Sequence, residues 1–154
     1  MKILISSDGR HAHYYQRTAL ARAFRAAGHE ASLWDCHTMS AFDAFDTFEP
    51  DIFLGQAYNL TNSLMKCIYE RPHLKIGLRS GDWGDITPDP RLNVLYATEE
   101  QIKLLEKLKN ETGQPDFVHI HYDQAAMDIT HSKYKDIGVD AKSLIMCADV
   151  EEYI

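Results

Sequence analysis

The chain starts with Met1-Lys2-Ile3-Leu4-Ile5, an apolar run that turns polar at Ser6. The polar loop Ser7 to His13 follows, with one glycine, and leads into a segment whose apolar residues recur at helical spacing. We expect this helix to end at Gly28, because glycine tolerates the left-handed backbone of a helix C-cap. A strand, a polar loop and a helix in this order are typical of a βα unit.

The apolar stripe of this first helix predicts which of its side chains face the sheet and which face water. Leu20 and Phe24 fall on the stripe, which predicts that they face the sheet. Arg17, Arg22 and Arg25 fall mostly outside it, which predicts that they face water.

The same βα rhythm continues along the chain. Ser40 and Thr61 are predicted helix N-caps, and Thr98 with Gln101 fits a capping box. These alternations predict an α/β fold: a three-layer domain, residues 1–154, with a mostly parallel sheet of about seven strands. The predicted strands are Lys2 to Ser6, Glu30 to Trp34, Asp51 to Gly55, Leu74 to Leu78, Val94 to Ala97, Phe117 to His121 and Ser143 to Met146.

Composition excludes several classes of protein and partner. Of 154 residues, 45% are apolar and 25% charged, which is ordinary for a globular domain and argues against disorder. The net charge of -7 repels phosphate backbones, so no nucleic-acid partner is expected. The first apolar run is too short for a signal peptide or a membrane span, which predicts a cytoplasmic protein. Three cysteines without close pairing argue against a disulfide framework or a zinc knuckle.

The loops after the strands carry the candidate ligand-binding residues, because ligands of open α/β sheets bind beyond the carboxyl ends of the strands. Gly9, His11 and His13 lie in the first such loop, before a helix N-terminus that favours an anion or a sugar hydroxyl. The loop has a single glycine and so does not match the G-x-G-x-x-G dinucleotide fingerprint. Without those glycines, Asp35 after the second strand is a weak candidate for a ribose ligand. Gly9 fits equally well as a simple turn residue.

The loop Arg79 to Asp85 is the second candidate. Trp83 could stack on a sugar ring while Asp82 accepts a proton from its hydroxyl group. An equally good interpretation is that Trp83 is buried and anchors a long loop.

The sixth predicted strand contributes two histidines. His119 and His121 share one face of the strand by the period of two. With His11 and His13 they suggest a metal site, but a doubly wound order keeps the first and sixth strands apart, so no metal site is predicted. No G-x-S-x-G motif supports a serine hydrolase.

These features resemble a known enzyme family. The opening Met1 to Ile5, the loop with Gly9 and the helix end Ala26-Ala27-Gly28-His29-Glu30 resemble the start of GT-B glycosyltransferases. Ala148 to Tyr153 resembles the segment that follows the last strand of their N-terminal domain. Pro50 to Gly55 and Leu95 to Asp116 are similar to glycosyltransferases related to bacterial spore-maturation proteins.

The resemblance implies that residues 1–154 form one Rossmann-like, acceptor-side domain. A C-terminal domain, missing from this sequence, would bind most of the nucleotide-sugar donor, and 154 residues alone would be inactive. The resemblance implies catalysis without metal or cofactor, with Asp82 or His13 as the base that activates an acceptor hydroxyl. The remaining acceptor contacts would come from Gly9, His11, Trp83 and His121.

Two other functions remain open. The chain could be a standalone nucleotide- or sugar-binding module without catalysis, which predicts stabilisation by ligand and no reaction. It could also be an assembly domain that docks a partner through an exposed strand edge.

Overall fold

The computed structural model describes residues 1–7, 12–56, 61–79, 107, 110–111, 117–121 and 140–143. Strands and helices alternate through the first half of the chain. The strands are β1 (Lys2–Ser7), β2 (Glu30–Asp35), β3 (Ile52–Gln56), β4 (Lys75–Arg79), β5 (Phe117–His121) and β6 (Asp140–Ser143). The helices are α1 (Ala12–Ala26), α2 (Ala41–Phe48) and α3 (Asn62–Tyr69).

The six strands form one sheet in the order β2-β1-β3-β4-β5-β6. Every pairing in it is parallel. The predicted α/β class with a parallel sheet is therefore confirmed. The described residues contribute six strands to the sheet where about seven were predicted, and the predicted strand Val94 to Ala97 lies outside them.

Strand β1 supplies both faces of the core. Ile3 and Ile5 are buried on one face, where Ala21 of α1 and Ala31 of β2 join them. Leu4 is buried on the other face, in the cluster formed with α2 and α3. Helices thus cover both faces of the sheet, which makes three layers in the described part of the chain.

Aromatic side chains fill the layer beneath α2. Phe45 of α2 and Phe53 of β3 are fully buried, with ring centroids 5.3 Å apart. Trp34 of β2 packs edge-on against Phe45 at 6.3 Å and donates a hydrogen bond from its indole N–H to the Met39 carbonyl at 2.9 Å. The indole is therefore buried with its polar atom satisfied.

The helix boundaries follow local chemistry. The side chains of Ser40 and Thr61 accept hydrogen bonds from the backbone N–H groups of Asp43 and Leu64, which confirms both predicted N-caps. Gly28 has φ 83°, as expected for a residue that follows the end of α1 in left-handed conformation. No helix in the described ranges has the length and apolar character that spanning a membrane requires.

The second half of the chain departs from prediction at its end. The predicted sixth strand is confirmed as β5 with the same bounds, Phe117 to His121. Strand β6 begins at Asp140, three residues before the predicted start at Ser143. Strand β6 lies at the edge of the described sheet. An edge strand tolerates charged residues such as Asp140 and Lys142, so it lacks the continuous apolar pattern of a central strand. Residues 107, 110 and 111 are helical, in the region where the capping box predicts a helix. The Lys107 ammonium group lies 3.7 Å from a carboxylate oxygen of Glu111.

Candidate ligand site at the carboxyl edge of the sheet

Strands β1 and β3 stop pairing near the carboxyl edge of the sheet, and this separation of the two strands is called the split. The two strands pair through Ile3, Leu4 and Ile5 of β1. Beyond Ile5, β1 continues as Ser6 and Ser7 against β2, whereas β3 continues as Gly55 and Gln56 against β4. The chain also reverses direction across the sheet here, since β2 lies on one side of β1 and β3 on the other. Such a switch point is where doubly wound domains bind their ligands.

Buried polar side chains gather at the same point. Ser6, Ser7 and Arg17 are 6%, 2% and 3% exposed, and they are the buried polar residues of the described part of the chain. Ser6 and Ser7 end β1, and the Arg17 guanidinium reaches from α1 to donate a hydrogen bond to the Ser6 carbonyl. Polar groups are costly to bury without partners, so their concentration at one strand end distinguishes it from the rest of the core.

The burial of Arg17 corrects the sequence prediction. The stripe of α1 assigned Arg17 to the water-facing side together with Arg22 and Arg25, yet Arg17 is 3% exposed. The reason is its long side chain, which reaches back from α1 so that its guanidinium donates a hydrogen bond to the Ser6 carbonyl near the end of β1. The buried guanidinium of Arg17 is therefore hydrogen-bonded to the part of β1 that no longer pairs with β3.

Two exposed tyrosines lie at the start of α1. Tyr14 is 39% and Tyr15 60% exposed, and their rings meet edge to face with centroids 5.8 Å apart. Helix α1 starts at the carboxyl edge because it follows β1 in a parallel sheet. Exposed aromatic faces at this edge are suited to stacking on a sugar or a base. Neither tyrosine was among the predicted site residues. Their position, adjacent and in the first turn of the helix that follows the first strand, is a sequence signal that could have indicated them.

Of the predicted catalytic residues, one lies within the described part of the chain. His13 is the second residue of α1 rather than a residue of the preceding loop, which corrects its predicted position. The helix begins earlier than predicted, because Ala12 already belongs to its first turn. Asp82, the other predicted base, lies outside the described residues, as do Gly9, His11 and Trp83.

His121 is the last residue of β5 and so reaches the same edge of the sheet as the end of β1. Strands β3 and β4 lie between β1 and β5, which at the usual strand spacing separates them by roughly 14 Å. A small metal ion does not bridge that distance. The absence of a metal ion shared by the histidines of β5 and of the first loop stays a prediction, since His11 lies outside the described residues.

A further cluster of functional groups follows β2. Ligand atoms of Asp35, Cys36 and His37 all lie within 4.8 Å of one another. Asp35 alone was predicted as a candidate, as a weak ribose ligand. Three consecutive residues of metal-binding types, beginning at the last residue of a strand, are the sequence signal for the cluster.

Comparisons with known proteins add no family assignment. No protein-family model matches the chain, and no curated protein matches it.

Proposed function

We propose that this chain is the acceptor-side domain of a nucleotide-sugar-dependent glycosyltransferase. The observation that carries the proposal is the split of β1 from β3 at the carboxyl edge, lined by buried Ser6 and Ser7 and supported from behind by Arg17. The sequence resemblance to GT-B enzymes begins in this same βα unit and supplies the reaction class.

The groups at the edge fit an acceptor with several hydroxyls. Tyr14 and Tyr15 offer aromatic faces, and the first turn of α1 offers backbone N–H groups that hydrogen-bond hydroxyl or anionic oxygens. The edge from β1 to β5 is roughly 14 Å long, which accommodates a ligand larger than one sugar ring. The donor nucleotide would be bound mainly by a second domain, as in the enzymes that this sequence resembles.

The proposed reaction is attack of an acceptor hydroxyl on the anomeric carbon of the nucleotide sugar. The new bond joins the acceptor oxygen to that carbon, and the nucleoside diphosphate leaves with the electron pair of the broken bond. A base removes the hydroxyl proton if the enzyme inverts, and Asp82 and His13 are the proposed bases. His13, at the start of α1, belongs to the βα unit that borders the split.

Thermal unfolding of this chain with separate ligand sets tests the proposal. A ligand that binds the native state raises the melting temperature by mass action. We expect stabilisation by acceptor-type oligosaccharides or glycosides, and little by free nucleoside diphosphates. In the variant Tyr15→Ala the sugar-induced shift should shrink. His73→Ala should retain the shift, because His73 is exposed just before β4 and so lies at the opposite edge.

A second candidate function is a standalone nucleotide-binding module. The strand order favours it, because the order β2-β1-β3-β4-β5 is that of doubly wound domains that bind a mononucleotide at the switch between β1 and β3. Strong stabilisation by a nucleoside mono- or diphosphate, with none by sugars, would establish this alternative and remove the acceptor-side assignment.

A further inference from the structure

The turn after β2 brings three metal-binding side chains together. Asp35 ends the strand, and Cys36 and His37 follow it in the turn. One ligand atom from each lies within 4.8 Å of the others. Asp35 is half-buried, and Cys36 and His37 are exposed, so an ion could reach the cluster from solvent.

Backbone hydrogen bonds hold this turn in place. The Asp35 carbonyl accepts from the backbone N–H groups of Thr38 and Met39 at 3.2 and 3.1 Å. The Met39 carbonyl in turn accepts from the buried Trp34 indole, which ties the end of the turn to the core. Little backbone ordering is therefore left for a ligand to impose, and preorganisation of this kind favours binding.

The Asp35 carboxylate retains coordinating capacity within the turn. Its Oδ1 atom accepts the backbone N–H of His37 at 2.9 Å, which fixes the orientation of the carboxylate. One of the two Asp35 carboxylate oxygens belongs to the cluster with the ligand atoms of Cys36 and His37. A hydrogen bond that orients a coordinating carboxylate is a common feature of metal sites.

The donor set selects the class of ion. One thiolate, one imidazole and one carboxylate match the ligands that Zn²⁺ takes, with bonds of about 2.0–2.3 Å. Tetrahedral bonds of that length place ligand atoms about 3.5 Å apart, and the three ligand atoms lie within 4.8 Å of one another, with Cys36 and His37 on exposed side chains. Three ligands from the chain leave the fourth position to water. Ca²⁺ and Mg²⁺ prefer all-oxygen sites and do not fit the set.

We propose that Asp35, Cys36 and His37 form a binding site for a zinc-class divalent ion. Binding replaces the proton of the Cys36 thiol, so one proton is released to solvent as the metal–sulfur bond forms. The site follows the carboxyl end of β2, where Asp35 pairs in register with Ser7 of β1. The proposal is independent of the glycosyl transfer proposed above.

Titration with Co²⁺, a spectroscopic substitute for Zn²⁺, tests the site on the intact chain. We expect one equivalent of Co²⁺ to give a thiolate-to-metal charge-transfer band, and excess Zn²⁺ to remove it. Cys36→Ser should abolish the band. Asp35→Asn and His37→Gln should each weaken binding on the order of tenfold or more, as expected for changes to a metal site. His73→Gln, at an exposed histidine outside the turn, should leave the band unchanged.

A second measurement needs no variant and therefore does not depend on the folding of one. Zn²⁺ should slow alkylation of Cys36 by iodoacetamide, as mapped by peptide mass spectrometry, because the metal occupies the thiolate that the reagent attacks. A cobalt band that survives in Cys36→Ser, or an alkylation rate at Cys36 that Zn²⁺ does not change, would overturn the proposal.

Discussion

The Arg17 guanidinium donates a hydrogen bond to the backbone carbonyl of Ser6, so that α1 holds the carboxyl end of the central strand. This contact joins the helix of the first βα unit to the strand that precedes it, at the point where β1 and β3 separate. The buried charge and the split therefore form one structural unit, and changes to one are expected to affect the other.

Removing Arg17 should destabilise the domain. Arg17→Ala loses a hydrogen bond from a charged donor and the packing of a buried side-chain stem, which together predict a loss of about 2–3 kcal/mol in the free energy of unfolding. Arg17→Met should lose less, because its unbranched apolar side chain preserves most of the packing. Urea unfolding followed by circular dichroism measures both. Lys66→Ala, at an exposed ion pair, is the control and should change stability by less than about 0.5 kcal/mol. A value for Arg17→Ala no larger than that control would contradict the structural role.

Ser40 should stabilise the start of α2. Its hydroxyl oxygen accepts the Asp43 N–H at 3.1 Å, and the hydroxyl group donates to the Asp43 carboxylate at 2.7 Å. Ser40→Ala is expected to lower stability by about 1 kcal/mol, and Ser40→Thr to restore most of it, because the threonine hydroxyl also accepts the capping N–H and donates to the Asp43 carboxylate. Equal urea midpoints for the Ala and Thr variants would contradict a capping effect.

The stability of the domain should fall at high pH through Tyr69. Burial, reinforced by the negative charge of Glu111, raises the pKa of Tyr69 to about 12. Because the folded pKa lies above the unfolded value of about 10, the native state holds the proton more tightly between these limits. The contribution is complete below about pH 10 and is lost as pH rises through about 12.

Tyr69→Phe isolates this contribution. The variant should lose stability less steeply between about pH 10 and 12 than the parent chain does, as measured by urea unfolding at fixed pH values. The chain has eight tyrosines, so the difference between the two proteins is the informative quantity rather than either curve alone. Parallel curves would show that Tyr69 titrates like an unfolded tyrosine.

The proposed glycosyl transfer predicts that Trp83→Ala raises the acceptor KM more than the donor KM. Loss of one stacking contact predicts a rise of roughly two- to tenfold in the acceptor KM. Initial rates with each substrate varied in turn give both constants. An unchanged acceptor KM would leave Trp83 as a packing residue.

Asp82→Asn should lower kcat if Asp82 removes the proton of the acceptor hydroxyl. The expected loss is on the order of 10²–10⁴-fold, with smaller changes in KM. His13→Gln is the matched variant at the alternative base and should then have a mild effect. The reverse result, with kcat lost in His13→Gln and retained in Asp82→Asn, would assign the base to the start of α1.

Strands β1, β2 and β5 were predictable because short apolar runs bounded by polar loops are a strong local signal. β1 and β2 each extend one residue beyond their predicted ends, and β5 has the predicted bounds. Strand β6 begins three residues before its predicted start because Asp140 and Lys142 interrupt the apolar pattern, while the apolar residues after Ser143 gave the stronger local signal. Residues 144–146 of the predicted strand lie outside the described residues.

The site was less predictable than the strands, for physical reasons. Helical periodicity assigns Arg17 to the polar side, and no local pattern reveals that its long side chain reaches a backbone carbonyl 11 residues earlier in the chain. Strand order likewise depends on which side each crossover takes, which the spacing of apolar runs does not encode. The split between β1 and β3 follows from that order and could be recognised only in three dimensions.

The placement of β1 has a consequence for synthesis on the ribosome. The first two strands and α1 can cover one side of β1, but its Leu4 side remains open until α2 and β3 have emerged. A nascent chain shorter than about the first 56 residues therefore carries a half-covered central strand with one unpaired edge, the kind of surface that chaperones bind.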